Sequence, residues 1–297
     1  MQAHLHRDAG SDARLTDRLG KLIDALPVLP AAVTELMALD RASPKFFDGV
    51  KRIVEIDPGL AVRVLSAANS AASAPRAPIT ALSASIMRIG STNAADLVLA
   101  AAVTRVFTPK RAWQRDLWRH ALSVAMCARA VAGYAPGAAI APEEAYAAGL
   151  LHDVGRFVLM LGAPAEVVPV EECEPAAIET MLDRERALFG VTHTDVGEMT
   201  CARWRLPSVI RHVVREHHAP LPSPKTREDR LTALVALADT AMPRLLAKHT
   251  GSTLQAAYES HAVPLLDLSW SSFEAILHTA QRESDVMSQA LGLGAAP

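Results

Sequence analysis

Apolar residues recur along most of the chain at three- and four-residue spacings, the period of one face of an α-helix. Leu15, Leu19, Leu22, Ile23 and Leu26 form the first stripe, ahead of Pro27 and Pro30. The pattern resumes through Val33, Leu36, Met37 and Leu39, then through Phe47, Val50, Ile53, Val54 and Ile56. Asp57-Pro58-Gly59-Leu60 predicts a turn launching another helix, with Asp57 as N-cap and Pro58 in the first turn. That helix is expected to end at Asn69-Ser70. After a Pro-containing loop (74–78), Thr80 is expected to cap a helix running to Ile89-Gly90. Ser91 to Phe107 predicts a nearly all-apolar helix that should be buried.

The second half opens with a long helix from Trp113 to Val131, containing Asp116 and His120. Pro142-Glu143-Glu144 predicts the acidic first turn of a helix that carries His152-Asp153. Residues 163–175, rich in Pro, Glu and Val, form a connector, and helices are expected near 176–189, 194–204, 207–217, 227–247 and 269–290. Residues 1–14 and 292–297 are expected to be loose tails. No alternating segment argues for a strand. The expected fold class is all-α.

Composition narrows the function classes. Half of the 297 residues are apolar and only 4% aromatic, an Ala- and Leu-rich bias that favours helices. Lys+Arg 30 against Asp+Glu 32 leaves no basic excess, so direct nucleic-acid binding is not expected. No apolar run approaches the roughly eighteen residues of a membrane span, and no secretory h-region is present. The three cysteines, Cys127, Cys173 and Cys201, lack metal-type spacing and read as reduced thiols of a cytoplasmic protein.

The candidate chemistry centres on residues 149–161, an apolar run interrupted by His152-Asp153 and then by Gly155-Arg156. A carboxylate beside an imidazole in apolar surroundings needs a partner: either a plain Asp–His hydrogen bond or a divalent metal. His120, His193, the pair His217-His218 and Asp239 also lie in or at the ends of predicted helices. Asp239 follows the apolar run 233–238 and would be hard to explain unpaired. Imidazoles with carboxylates suit Zn, Fe or Mn, and two ions would need about six to eight such ligands. Paired ions can activate a water and clamp a phosphodiester. Arg156, four residues beyond His152, would then hold phosphate; otherwise it answers carbonyls or a nearby carboxylate. His193, following Thr192, could instead be a capping or exposed residue, and both His217 and His218 could bind only with two metals or at a frayed helix end. Asp116 reads as a solvated or salt-bridged surface residue.

His120, His152-Asp153 and Asp239 resemble the H…HD…D signature of the HD superfamily of metal-dependent phosphohydrolases. Leu26-Pro27-Val28-Leu29-Pro30, Ile56-Asp57-Pro58-Gly59-Leu60, Asn69-Ser70, residues 84–90 and His217-His218-Ala219-Pro220 resemble the HDOD branch, all-helical modules of bacterial signalling proteins related to the HD-GYP phosphodiesterases. The resemblance spans roughly residues 20–220. It implies a tail (1–19), an HDOD domain (20–222) made of an N-terminal helical subdomain (20–110) and an HD-like bundle (111–222), and a C-terminal extension (223–297) that completes the bundle. It implies a regulatory or output role through signalling proteins in trans. Many HDOD domains have lost the HD ligands; this sequence departs from that trend by keeping the set together, similar to the binuclear site of the HD-GYP group, so a metal site of one or two Fe, Mn or Zn ions is expected. The alternative is a phosphohydrolase acting on a nucleotide or cyclic dinucleotide. In that case His120, His152, Asp153, His193, His217, His218 and Asp239 would be ligands, with Asp153 and Arg156 serving catalysis. Two departures from HD-GYP bear on the alternative: no Gly-Tyr-Pro follows His217-His218, and Arg156 stands where a lysine is common.

Overall fold

Every regular element among the described residues is a helix, as the apolar spacing predicts. The computed structural model describes residues 9–27, 29–70, 75, 77–135, 139–162, 178–219, 225–246, 255, 258–259 and 268–294. The helices are α1 (Ala9–Ala25), α2 (Ala31–Met37), α3 (Phe46–Ile56), α4 (Pro58–Ala68), α5 (Leu82–Ile89), α6 (Ser91–Val106), α7 (Ala112–Tyr134) and α8 (Pro142–Leu151). Next come α9 (Val154–Gly162), α10 (Ile178–Phe189), α11 (His193–Arg203), α12 (Ser208–Glu216), α13 (Arg227–Leu246) and α14 (Trp270–Ala290). The expected connector at 163–175, the LPSP segment at 221–224 and the last residues of the C-terminal tail lie outside the described residues. No single helix among the described residues is long and apolar enough to cross a membrane.

Three local expectations shift. The first helix begins at Ala9, six residues ahead of the apolar stripe, because the polar stretch before Leu15 contains good helix formers that can extend a turn already nucleated. Ala81, rather than Thr80, is the N-cap of α5. His152-Asp153 is not inside a helix: α8 ends at Leu151, α9 begins at Val154, and the pair forms the turn between them.

The chain divides into two units, one comprising Val28–Leu150 and Leu221–Pro297, the other Met1–Pro27 and Leu151–Pro220. In the first, α6 is the centre: α2, α3, α4 and α5 all pack against it, and Ala94 to Thr104 are buried without interruption. Its one buried carboxylate, Asp96, receives the guanidinium groups of Arg41 and Arg129, and the Tyr146 hydroxyl donates to its backbone carbonyl at 3.1 Å. The long α7 carries α13 and α14 against it. Gly149 lets α8 approach α7, since a Cβ there would lie 2.9 Å from the Cα of Ala125.

The turn at Asp57 forms as predicted. The Asp57 carboxylate accepts from the amides of Gly59 and Leu60 at the start of α4 and pairs with Arg105 of α6. The hydrogen bond from Arg105 holds its pKa down at about 2, against the opposing effect of burial and with help from the two amides. Because the folded-state value lies below the ordinary 3.8, this stabilisation is complete above about pH 4 and fades as pH falls toward 2. Asp57→Ala is expected to cost about 1–2 kcal/mol in urea denaturation at pH 7, with the gap to wild type closing near pH 2. A gap that is the same at both pH values would contradict this role. Asn69, the C-cap of α4, stops the helix and anchors the segment beyond it: its side chain donates to Leu65 O and Ile79 O and accepts from Ile79 N, each at 2.8 Å.

The second unit contains α1, α9, α10, α11 and α12. Helix α11 packs on both α9 and α12, and α1 lies against α9, α10 and α11. Backbone meets backbone where α9 crosses α11. A Cβ on Gly155 would stand 1.8 Å from His193 O and 2.7 Å from Gly197 N, so only glycine fits. The Trp204 indole donates to Pro27 O at 3.0 Å, fixing the end of α11 to the segment after α1.

Candidate metal centre

Three short structures in the second unit deliver the candidate ligands to one place. The turn between α8 and α9 supplies His152 and Asp153. The first residue of α11 supplies His193; Thr192 is the N-cap, its hydroxyl accepting from Asp195 N while the Asp195 carboxylate returns to Thr192 N. The end of α12 supplies His217, its C-cap, and His218. A helix end is one of the two conditions under which adjacent histidines can serve one site, because beyond the cap the side chains are no longer spread 100° apart around a helix. His152, Asp153, His193 and His217 are buried and His218 half-buried. His193 is therefore neither the cap nor exposed.

One ligand atom each from Asp153, His193, His217 and His218 can be chosen so that all four lie within 4.8 Å of one another. Asp153 Oδ1 is 3.4 Å from His193 Nε2 and 3.7 Å from His217 Nε2. The rings of His217 and His218 are 4.0 Å apart and those of His193 and His218 5.1 Å. His152 sits alongside, its ring edge-on to that of His217 at 5.0 Å and its Nε2 3.5 Å from Asp153 Oδ2. Arg156 donates to Asp153 Oδ2 at 2.7 Å.

The far side of each ring decides what the near side offers. His217 Nδ1 is 3.0 Å from Val214 O, an atom that can only accept, so this nitrogen carries the proton. His193 Nδ1 is 2.8–2.9 Å from both oxygens of the Glu185 carboxylate and is likewise the donor. Burial holds the His217 pKa below its usual value, so the ring is neutral near pH 7 and its Nε2 directs a lone pair toward Asp153. For His193, burial is outweighed by the Glu185 carboxylate and the pKa is raised. Asp153 keeps its charge: burial opposes ionisation, but Arg156 and then His152 hold its pKa well below the usual carboxylate range. The Nε2 atoms of His193 and His217 are buried with no hydrogen-bond partner among the described residues.

This arrangement fits a divalent ion. A buried carboxylate oxygen and two imidazole nitrogens that converge beyond normal hydrogen-bond length have room for a cation between them. Donors about 2.0–2.2 Å from a tetrahedral ion stand roughly 3.3–3.6 Å apart, close to the Asp153 separations. The donor set, imidazoles with one carboxylate, matches Zn, Fe or Mn.

The other two predicted residues lie in the first unit. His120 of α7 and Asp239 of α13 pair with each other, Nε2 to Oδ1 at 3.0 Å, which gives the aspartate that follows the apolar run 233–238 a partner. Asp116 is exposed and paired with Arg119. Glu185 was not singled out in the sequence. Its signal lay in helical spacing: Met181, Glu185, Leu188 and Phe189 share one face of α10, so the carboxylate belongs to the buried side.

Comparison with known proteins bears on the family and the fold. The sequence matches the HDOD domain over residues 26–220. The chain belongs to the HDOD domain family. Solved structures share its fold. An HDOD domain protein of unknown function from Geobacter sulfurreducens superposes with a TM-score of 0.71 at 23% identity, covering 97% of this chain and 100% of that one. A protein of Marinobacter aquaeolei VT8, provisionally named for signal transduction, gives 0.70 at 20% identity over 95% and 66% of the two chains. A provisionally named phosphohydrolase of Shewanella amazonensis SB2B gives 0.68 at 21% identity over 92% and 98%. An uncharacterized protein of Treponema pallidum (strain Nichols) is 24% identical over 233 residues, covering 76% of this chain and 44% of that protein. The HDOD chain thus spans less than half the length of this curated relative.

Proposed function

We propose that this HDOD chain is a regulatory module of bacterial signalling that holds a divalent ion on Asp153, His193, His217 and His218 and acts through protein partners supplied in trans. The observation that carries the metal reading is the orientation of His217: with Nδ1 committed to Val214 O, its buried Nε2 lone pair faces the ionised Asp153. Two features favour regulation over catalysis. Asp153, His193 and His217 are at most 2% exposed, which suits retaining an ion better than admitting a polyanionic substrate. The segment after His218 reads Ala-Pro rather than the substrate loop of the phosphodiesterase branch. The buried thiols Cys127 and Cys201 support a reducing, cytoplasmic setting.

The second reading is a metal-dependent phosphohydrolase, and the observation in its favour is Arg156, a cation against the candidate ligand Asp153. A bound ion would supply Lewis acidity and a water of lowered pKa. Asp153 would act as a ligand, and Arg156 would have to share its contact with Asp153 with an incoming phosphate.

One experiment separates the two. Protein stripped by a chelator and reloaded with Zn, Mn or Fe(II) is tested for thermal stability and for hydrolysis of bis(p-nitrophenyl) phosphate and of cyclic dinucleotides. A higher melting temperature with hydrolysis at the blank rate is the expected result. Turnover that disappears in Arg156→Ala would replace the regulatory reading with the second.

A further inference from the structure

Glu185 holds the ring of His193 from behind, and nothing in the sequence pattern assigns it a role. It is 2% exposed, and both its oxygens are occupied by the same residue: each lies 2.8–2.9 Å from His193 Nδ1, and Oε2 also accepts the His193 backbone N–H at 2.8 Å. One carboxylate thus fixes three things about a candidate ligand. It keeps a proton on Nδ1, which donates to the carboxylate, so that in the neutral ring the lone pair is on Nε2. It sets the ring's rotation, through the side-chain contact. It also sets the position of the first residue of α11, through the backbone contact.

A carboxylate behind a ligating imidazole also makes the ring a stronger donor, and removing such a partner commonly lowers metal affinity about 10- to 100-fold. His217 has only a carbonyl, Val214 O, in the same place. The two imidazoles are therefore not equivalent, and His193 is the stronger donor of the pair.

We infer that Glu185 is the positioning residue of the metal centre, fixing His193 in its donor form and tying α10 to the ion. This role rests on the metal reading above, and it reaches beyond the ligands themselves. By linkage, an ion that binds better when Glu185 is in place must in turn hold α10, where Glu185 resides. A partner that pulled on α10 would loosen the ion.

The test uses the full chain, stripped of metal, with Zn²⁺ competition against a chromophoric chelator to read affinity and Co²⁺ absorption to read ligand geometry. Nitrogen chemical shifts of His193, followed as the metal-free protein is titrated to its neutral ring, report its tautomer. Glu185→Ala should weaken Zn²⁺ binding about 10- to 100-fold and alter the Co²⁺ spectrum. Glu185→Gln keeps an acceptor for both N–H groups without the charge. It should restore the tautomer and the Co²⁺ spectrum, bind Zn²⁺ more tightly than Glu185→Ala but less tightly than wild type, and melt above Glu185→Ala. That rescue separates positioning from a fold defect. Wild-type affinity in Glu185→Ala, with wild-type binding intact, would overturn the role of Glu185 and leave the centre standing. Equal losses in the Ala and Gln variants, with unchanged His193 shifts, would overturn it as well. A wild-type chain that binds neither ion would overturn the metal reading itself, and this role with it.

Discussion

Gly155→Ala is expected to destabilise the protein by about 3 kcal/mol or more and to abolish metal loading. The added methyl would stand 1.8 Å from His193 O, 2.7 Å from His193 C and 2.7 Å from Gly197 N, all backbone atoms of α11. Carbon and oxygen need well over about 3 Å between them, so relief requires α9 and α11 to separate by more than an ångström. No side chain can rotate away to supply it. The atom that would be struck first belongs to His193, a candidate ligand held by Glu185. Stability and ligand geometry should therefore fail together. Gly20→Ala is the matched control: Gly20 lies within α1 with nothing inside 4 Å of an added Cβ, and alanine there should be neutral or mildly stabilising. Chemical denaturation and metal content of the two variants check this. A Gly155→Ala protein within about 1 kcal/mol of wild type that still loads metal would show that the close approach does not position His193.

Asp153→Asn should produce the second large effect. The residue is nearly isosteric, but it removes the only carboxylate of the four-donor cluster and leaves the imidazoles of His193 and His217 facing an amide. It also takes the ion-pair partner from Arg156, itself largely buried. Breaking a buried pair from one side costs about 3 kcal/mol, and loss of an anionic ligand should lower divalent-metal affinity by more than the roughly 10- to 100-fold that loss of an outer-shell partner costs. The stability loss should be measured in the metal-free state as well as the loaded one. A loss confined to the loaded protein would mean that the Arg156 contact contributes little and that the ion alone organises the turn.

Much of the fold could be read from the sequence because helical spacing and Pro punctuation both operate within a few residues. The caps at Asp57 and Asn69 and the buried run of α6 stem from local rules. What the pattern missed depends on tertiary packing. His152-Asp153 lies in an apolar stretch that reads as continuous helix, and only its convergence with α11 and α12 explains the turn there. Gly155 looked like punctuation beside a cation, whereas its role is to admit the backbone of α11. Glu185 was hidden among the charges of α10, where Asp183 and Arg186 are exposed and, among the described side chains, Glu185 is the charge that is buried. Chemistry-bearing residue types were legible; the partner on the far side of each ring was not, because Val214 O and the Glu185 carboxylate reach their histidines only in the folded chain.

The measurement that bears most directly on the central claim is elemental analysis of the untagged protein, purified without added metal and compared with the double variant His193→Ala, His217→Ala. At least about one Zn, Fe or Mn per wild-type chain is expected, with loss of that metal in the double variant. A wild-type protein that stays metal-free after incubation with all three ions, or a double variant that retains the same content, would contradict it.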